Sequence, residues 1–251
     1  MKKHFSLLSL IALSLLLTGC VSILDFTHNG KTIRASNTVM SETREASGFT
    51  AIDMRAAGRV VISQGESESL AVRGSDNVVP LVKTSVQDGV LVIEMEETII
   101  VTDMDESNAL TFTIGVKDLS ALTVSGAGDV EADGLKAPRL DLTIGGAGRI
   151  NLNHLSVESL LLTVGGAGDV TLSGKADTAV IVISGAGNVQ APDLKIQTAD
   201  VRVPGLGNAT VWVTEILTGS ITGAGNIDYY GNPVTDLTNT GLGVFKSLGN
   251  K

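Results

Sequence analysis

Apolar and polar residues alternate with a period of two through most of the chain, and the alternation is clearest between residues 120 and 244. There Val124, Ile144, Val164, Ile183, Val203 and Ile221 recur at a near-constant interval, as do Leu122, Leu142, Leu162, Ile181 and Val201. Downstream of each pair stand two further apolar columns: Val130, Ile150, Val170, Val189, Ala209 and Ile227, then Ala132, Leu152, Leu172, Ala191 and Val211. A period of two places these residues on one face of short strands. No stretch carries a convincing helical period with caps.

Between the paired columns lies a Gly-x-Gly unit. Its glycines are Gly126 and Gly128, Gly146 and Gly148, Gly166 and Gly168, Gly185 and Gly187, Gly205 and Gly207, and Gly223 and Gly225. A decayed copy at Thr240-Gly241-Leu242-Gly243 closes the series, and the steps between first glycines are 20, 20, 19, 20, 18 and 18 residues. Each unit reads as two short strands flanking a glycine corner, and glycine is expected there for its access to positive φ. A unit this small cannot bury its apolar face alone, so neighbours must cover it. Stacking in register turns every column into a ladder with rungs about 4.8 Å apart. The fold class read from this pattern is all-β, a right-handed parallel β-helix (solenoid) with coils of 18–20 residues.

Earlier, from Phe49 to about Leu119, strands such as Val60-Val61-Ile62, Val90-Leu91-Val92-Ile93 and Thr111-Phe112-Thr113-Ile114 alternate with turn signals, Asp88-Gly89 among them. Ala57-Gly58-Arg59-Val60-Val61-Ile62 echoes Ala147-Gly148-Arg149-Ile150-Asn151-Leu152, so this half is expected to supply earlier, less regular coils. Residues 21–48 show no sustained period and read as a polar tether, with a short strand near Ile33. The domain is therefore expected to span residues 49–251.

The first 20 residues have a different character. Lys2, Lys3 and His4 precede an apolar run from Phe5 to Leu16, short for a membrane span but right for a leader. The run ends in Leu17-Thr18-Gly19-Cys20, which resembles the lipobox of bacterial lipoproteins. That resemblance implies cleavage before Cys20, a lipid on its sulfur and a membrane partner through that anchor. Val21 at the following position points to the outer membrane by enterobacterial sorting rules. Cys20 is the only cysteine, so no internal disulfide can form. Loss of Lys2 and Lys3 with the leader takes the formal charge from −9 to −11, which argues against nucleic acid as a partner.

The repeated Ser/Gly-Gly-Ala-Gly-Asp/Asn unit resembles that of the head GIN domain family, named for auto-transporter adhesins. Phe49-Thr50-Ala51-Ile52, Val60 to Gly65 and Gly89 to Ile93 match its leading segment, so the resemblance covers about residues 49 to 230. It implies a β-helical envelope protein, often a lipoprotein, and brings no catalytic residues. The acidic stretch from Glu94 to Asn108 departs from the repeat.

Candidate chemistry falls mainly in one column. Three residues after each first glycine stand Asp129, Arg149, Asp169, Asn188, Asn208 and Asn226, then Val244. Stacked, Arg149 lies between two carboxylates and the asparagines form a hydrogen-bonded ladder. A catalytic or metal role for Asp129, Arg149 and Asp169 is the rival reading. Asp103 to Asn108 starts like a calcium loop but lacks its sixth-position glycine and twelfth-position glutamate. The glycine units match neither calcium-binding nonapeptides nor a dinucleotide fingerprint. His28 and His154 are isolated, so neither a metal site nor a cofactor is expected. Thr123, Thr143 and Thr163 make too short a ladder for ice binding and read as exposed strand residues. Trp212, Tyr229 and Tyr230 read as a terminal hydrophobic cap, with a sugar-stacking platform as the alternative.

The functional expectation is a lipid-anchored, non-enzymatic binding, adhesion or scaffolding protein facing a protein or glycan ligand. A polysaccharide lyase or hydrolase and a self-assembling structural protein are the alternatives.

Overall fold

A computed structural model describes residues 31–95 and 99–251. The expected leader, Cys20 and the first part of the expected tether lie outside the described residues.

The repeats stack in parallel and in register. Leu122 pairs with Leu142, Leu142 with Leu162, Leu162 with Ile181 and Ile181 with Val201. Around the glycine corner, Val130 pairs with Ile150, Ile150 with Val170, Val170 with Val189 and Val189 with Ala209. All these side chains are buried, forming one dry core that runs through the coils. Burying each Leu, Ile or Val is worth about 1.5–3 kcal/mol, and the ladder repeats that gain at every rung. The chain is an all-β parallel solenoid.

Each coil has a third inward-facing run beyond the two read from the sequence. In the strand Arg149–Val164 the inward residues are Ile150 and Leu152, then Leu155 and Val157, then Leu160, Leu162 and Val164. The alternation breaks at Asn153-His154 and again at Glu158-Ser159, so the strand bends at both places. His154 takes a φ of 51° at the first bend. Leu155 stacks on Gly174, and Gly174 on Leu194. This third wall is equally periodic, since Leu135, Leu155, Gly174 and Leu194 each lie 11 residues before the next corner glycine, and counting back from that glycine is the sequence signal that finds it.

The first half does supply coils, but they do not stack in chain order. Strand Gly58–Gln64 pairs parallel with Gly128–Asp133 on one side and with Thr111–Val116 on the other. Likewise Ala51–Met54 lies between Ala121–Val124 and Val90–Met95. A coil that comes early in the sequence is thus sandwiched between two that come later. The intervening chain makes an antiparallel cap. Val82–Gln87 and Val90–Met95 form a hairpin, and Ser69–Ser75 runs antiparallel to Thr111–Val116. The hairpin turns on Asp88 and Gly89 at φ 50° and 77°, the two-residue loop that matches strand twist.

One boundary of the sequence reading moves. Val39–Arg44, placed in the tether, is a strand paired antiparallel with Ser69–Ser75. Arg44 fixes it there, donating to the carbonyls of Val82 at 2.7 Å and Val79 at 2.9 Å. The segment has no long apolar period because it is an edge strand, held by backbone pairing and one arginine. Lys31–Arg34 pairs parallel with Ile99–Thr102 in a separate two-stranded sheet.

The corner glycines are required for a different reason from the one expected. None of those between 126 and 243 has a positive φ. A Cβ on Gly146, Gly166 or Gly185 would instead lie 2.0 Å from a backbone carbonyl oxygen of the preceding coil. On Gly148 and Gly168 it would lie 2.2 Å from one, and on Gly207 1.9 Å. Close approach of one rung to the next excludes any side chain at either position.

Of the expected aromatic cap only Tyr229 helps to close the far end of the stack, together with two residues not foreseen. Leu237 and Phe245 turn inward over Gly219, where an added Cβ would meet them at 2.8 and 2.7 Å. Tyr229 packs against the core beside them.

Candidate functional site

The polar column beside the glycine corner is a hydrogen-bonded side-chain array that runs from coil to coil. Registered pairing places Arg59, Asp129, Arg149 and Asp169 on successive rungs, alternating in charge. Arg149 forks onto Asp129, with Nε 3.2 Å from Oδ1 and Nη2 2.8 Å from Oδ2. That contact raises the guanidinium pKa above its ordinary value, and Asp169 on the other side adds a weaker Coulombic pull. Arg59 reaches diagonally to Glu131 at 2.7 Å, which likewise raises its pKa. Asp129, Glu131, Arg149, Asn151, Asp169 and Thr171 line a shallow groove.

Above Asp169 the asparagines form a polarised ladder. Asn188 donates both its backbone N–H, at 3.2 Å, and its Nδ2, at 3.0 Å, to Asp169 Oδ1. Asn208 does the same to Asn188 Oδ1, and Asn226 to Asn208 Oδ1. At the top, the backbone N–H of Val244 donates to Asn226 Oδ1 at 3.0 Å. Every amide dipole points the same way, and the donor end of the array meets a carboxylate.

Pairs of charges also run along the strands. Arg55 donates to Asp53 at 2.8 Å and Arg139 to Asp141 at 2.8 Å, while Arg202 engages Asp200. Their arginines are substantially exposed, so each pair is worth little in isolation. The arrangement is a solvated lattice of ion pairs on a rigid sheet.

Other sequence candidates separate from this column. His154 Nδ1 meets Asp133 Oδ1 at 2.6 Å on the next corner, away from any other histidine among the described residues. In the acidic loop, Asp105 Oδ1 accepts from Ser107 N at 2.7 Å, Ser107 Oγ at 2.5 Å and Asn108 N at 3.3 Å. These bonds, the Ser107 hydroxyl first, hold the Asp105 carboxyl below its usual pKa. The carboxylate is spent on closing its own turn. Asn108, buried beneath it, donates to the carbonyls of Ser36 and Asp103. Among the described residues no three His, Cys, Asp or Glu side chains converge as metal ligands. Thr123, Thr143 and Thr163 stand on consecutive rungs, followed by Val182 and Arg202.

Trp212 and Tyr230 occupy successive rungs and face outward, in one column with Lys175 and Lys195. Tyr229 points inward instead, paired with Val211, and its place six residues after Gly223 continues the apolar column, the signal that separates it from these two rings.

Several solved structures share this architecture. A crystal structure described as a putative adhesin from Bacteroides fragilis superposes with a TM-score of 0.81 at 27% identity, covering 86% of this chain and all of that one. A protein from Parabacteroides distasonis described as a putative lipid binding protein shares the fold, with a TM-score of 0.71 at 19% identity over 87% of this chain and all of that one. A putative adhesin from Parabacteroides merdae gives 0.68 at 20% identity, over 87% of this chain and all of that one. No curated protein matches the sequence. The family model described as "Putative auto-transporter adhesin, head GIN domain" matches residues 48–233, and the chain belongs to that family.

Proposed function

We propose that the protein is a non-enzymatic binding or scaffolding module of the bacterial cell envelope, carried on the outer membrane by a lipid at Cys20. Membership of an adhesin-named family supports the binding role. The observation that carries the reading is how the carboxylates along the polar column are engaged. Asp129 is gripped by Arg149, Glu131 by Arg59, and Asp169 by the two donors of Asn188. A glycoside-cleaving centre needs one carboxyl free to give a proton and another to take one or to attack. Here these groups are occupied and oriented by donors on neighbouring rungs, which suits a fixed charged face and not a proton relay. A protein or glycan partner would meet a rigid surface of repeated rungs.

Two experiments test this. Metabolic labelling with a fatty-acid probe should mark the wild-type protein and not Cys20→Ala, and an unlabelled wild type would refute the anchor. A glycan array and a pull-down from envelope extracts should return a ligand. A defined polysaccharide turned over by wild type and spared by Asp129→Ala and Asp169→Ala, with unchanged melting, would replace binding by catalysis.

A further inference from the structure

The outward column that ends in Trp212 and Tyr230 holds a side chain in the manner of a ligand. Lys251 Nζ lies 5.5 Å from the centroid of the Trp212 ring and 5.5 Å from that of Tyr230. The same ammonium donates to the Pro192 carbonyl and pairs with Asp193. Lys195 approaches the Trp212 ring as well, its Nζ 5.9 Å from the centroid. Two aromatic faces, a carboxylate and a carbonyl around one ammonium are the components by which proteins recognise alkylammonium groups.

The fold builds this box without Lys251. Lys195, Trp212 and Tyr230 are set on consecutive rungs by parallel pairing. Asp193 pairs with Ser173 in the neighbouring coil, so its backbone belongs to the stack. Lys251 arrives differently. Its segment is held by two backbone bonds, Leu248 N to Tyr229 O at 2.8 Å and Gly231 N to Gly249 O at 2.9 Å. Gly249, which accepts the second of these bonds, turns the chain at φ 84°, with nothing within 4 Å of its Cβ position. The box belongs to the stack; its occupant is brought by a segment attached to it through these two backbone bonds.

We infer that Trp212, Tyr230 and Asp193 form a binding site for a primary alkylammonium, specifically a lysine side chain presented by a partner polypeptide, with Lys251 as a built-in competitor. This rests on reading the protein as a binding module and names one chemistry that such a module recognises. Lysine is the ligand class because a lysine ammonium already satisfies the box, on the two rings, the acid and the carbonyl. Lys195 fixes the polarity of approach, since a second cation must enter from the Asp193 side, where its charge is compensated.

Trp212 is the only tryptophan, so its fluorescence reports the site directly. In the full chain, Lys251→Ala should change the Trp212 emission without moving the melting temperature. Titration of that variant with Nα-acetyl-lysine methylamide should then give a saturable return toward the wild-type spectrum. The norleucine analogue, which has no ammonium, should give none. The wild type should bind the lysine probe about tenfold more weakly, because its own lysine competes. Asp193→Asn in the Lys251→Ala background should weaken the probe by a similar factor and keeps a folded, fluorescent chain if Trp212 replacements destabilise it. No saturable response in Lys251→Ala, or an equal response to norleucine, would overturn the site. A ligand recovered by pull-down that is indifferent to Asp193→Asn would leave the binding module standing and remove this site from it.

Discussion

Replacing Gly166 by alanine tests the claim that the corner glycines are there for close approach. The new Cβ would lie 2.0 Å from the Gly146 carbonyl oxygen and 2.6 Å from that of Gly145. Ordinary contact begins more than an ångström farther out, so the two coils must part locally. That movement falls on Ala167 N–H to Gly146 O at 3.0 Å and Gly166 N–H to Ile144 O at 3.1 Å. Two weakened hydrogen bonds at about 1 kcal/mol each, with about 1–3 kcal/mol of overpacking strain, give a loss of about 3–5 kcal/mol. At this chain length, that is a fall in melting temperature of about 6–20 °C. Two controls separate the mechanism from alternatives. Gly165→Ser has nothing closer than 3.7 Å, and Ser125 and Ser184 already stand at the same place in sister coils, so it should stay within about 0.5 kcal/mol of wild type. Gly134→Ala has open space but a φ of 74°, so it should cost only the left-handed penalty of about 1–2 kcal/mol. Scanning calorimetry of the three variants decides the matter. Gly166→Ala melting within about 2 °C of wild type, or no lower than Gly134→Ala, would refute the close-approach argument.

Three further outcomes follow from the same geometry. Asn208→Ala strips the acceptor from both donors of Asn226, and should cost about 2–3 kcal/mol in denaturant titration, whereas Asn208→Asp, which keeps that acceptor, should cost less. Arg149→Ala should lower stability only slightly, and by less still at high salt, because the pair is exposed on both sides. The Asp105 turn is pH-sensitive in a fixed direction: its carboxyl pKa is lowered in the fold, so its stabilising effect is complete above the ordinary carboxylate range and is lost as pH falls through the lowered value. Protection of the Ser107 and Asn108 amides, taken relative to their intrinsic exchange at each pH, should therefore fall only at acid pH, and Asp105→Ala should remove that dependence.

What the sequence made legible is what repetition encodes. The four apolar columns, the glycine corners and the polar ladder are each written several times at near-constant spacing. One copy alone would have said nothing. The capping half was only partly legible because its contacts are written once. The hairpin at Asp88-Gly89 is local and follows from turn chemistry. The insertion of the Gly58–Gln64 coil between Gly128–Asp133 and Thr111–Val116 is non-local, and no spacing rule announces it. The same holds for Val39–Arg44, whose membership in the fold depends on a partner strand distant in sequence and on Arg44 reaching the Val82 and Val79 carbonyls.

The order of residues in the polar column follows from donor and acceptor capacity alone. An ionised carboxylate only accepts, an arginine only donates, and an asparagine does both. A ladder in which each rung passes two N–H groups to the oxygen below must therefore start on an acceptor, which is Asp169. It can continue through any number of asparagines, here Asn188, Asn208 and Asn226. It needs at its head only something with a backbone N–H, and Val244, with no polar side chain, suffices. Below Asp169 the sense of donation is the same: Arg149 donates to the rung beneath it, Asp129, and acts on Asp169 only through its charge. Moving the aspartate up one rung, as Asp169→Asn with Asn188→Asp, tests this. The relocated carboxylate would still accept from Asn208 but would have nothing to give the amide oxygen beneath it except its backbone N–H. Its charge would also stand one rung farther from Arg149. The double variant keeps composition and net charge, yet should be less stable than wild type by about 1–3 kcal/mol. Equal stability would mean that the ladder's polarity does not matter and that its residues are interchangeable turn-formers.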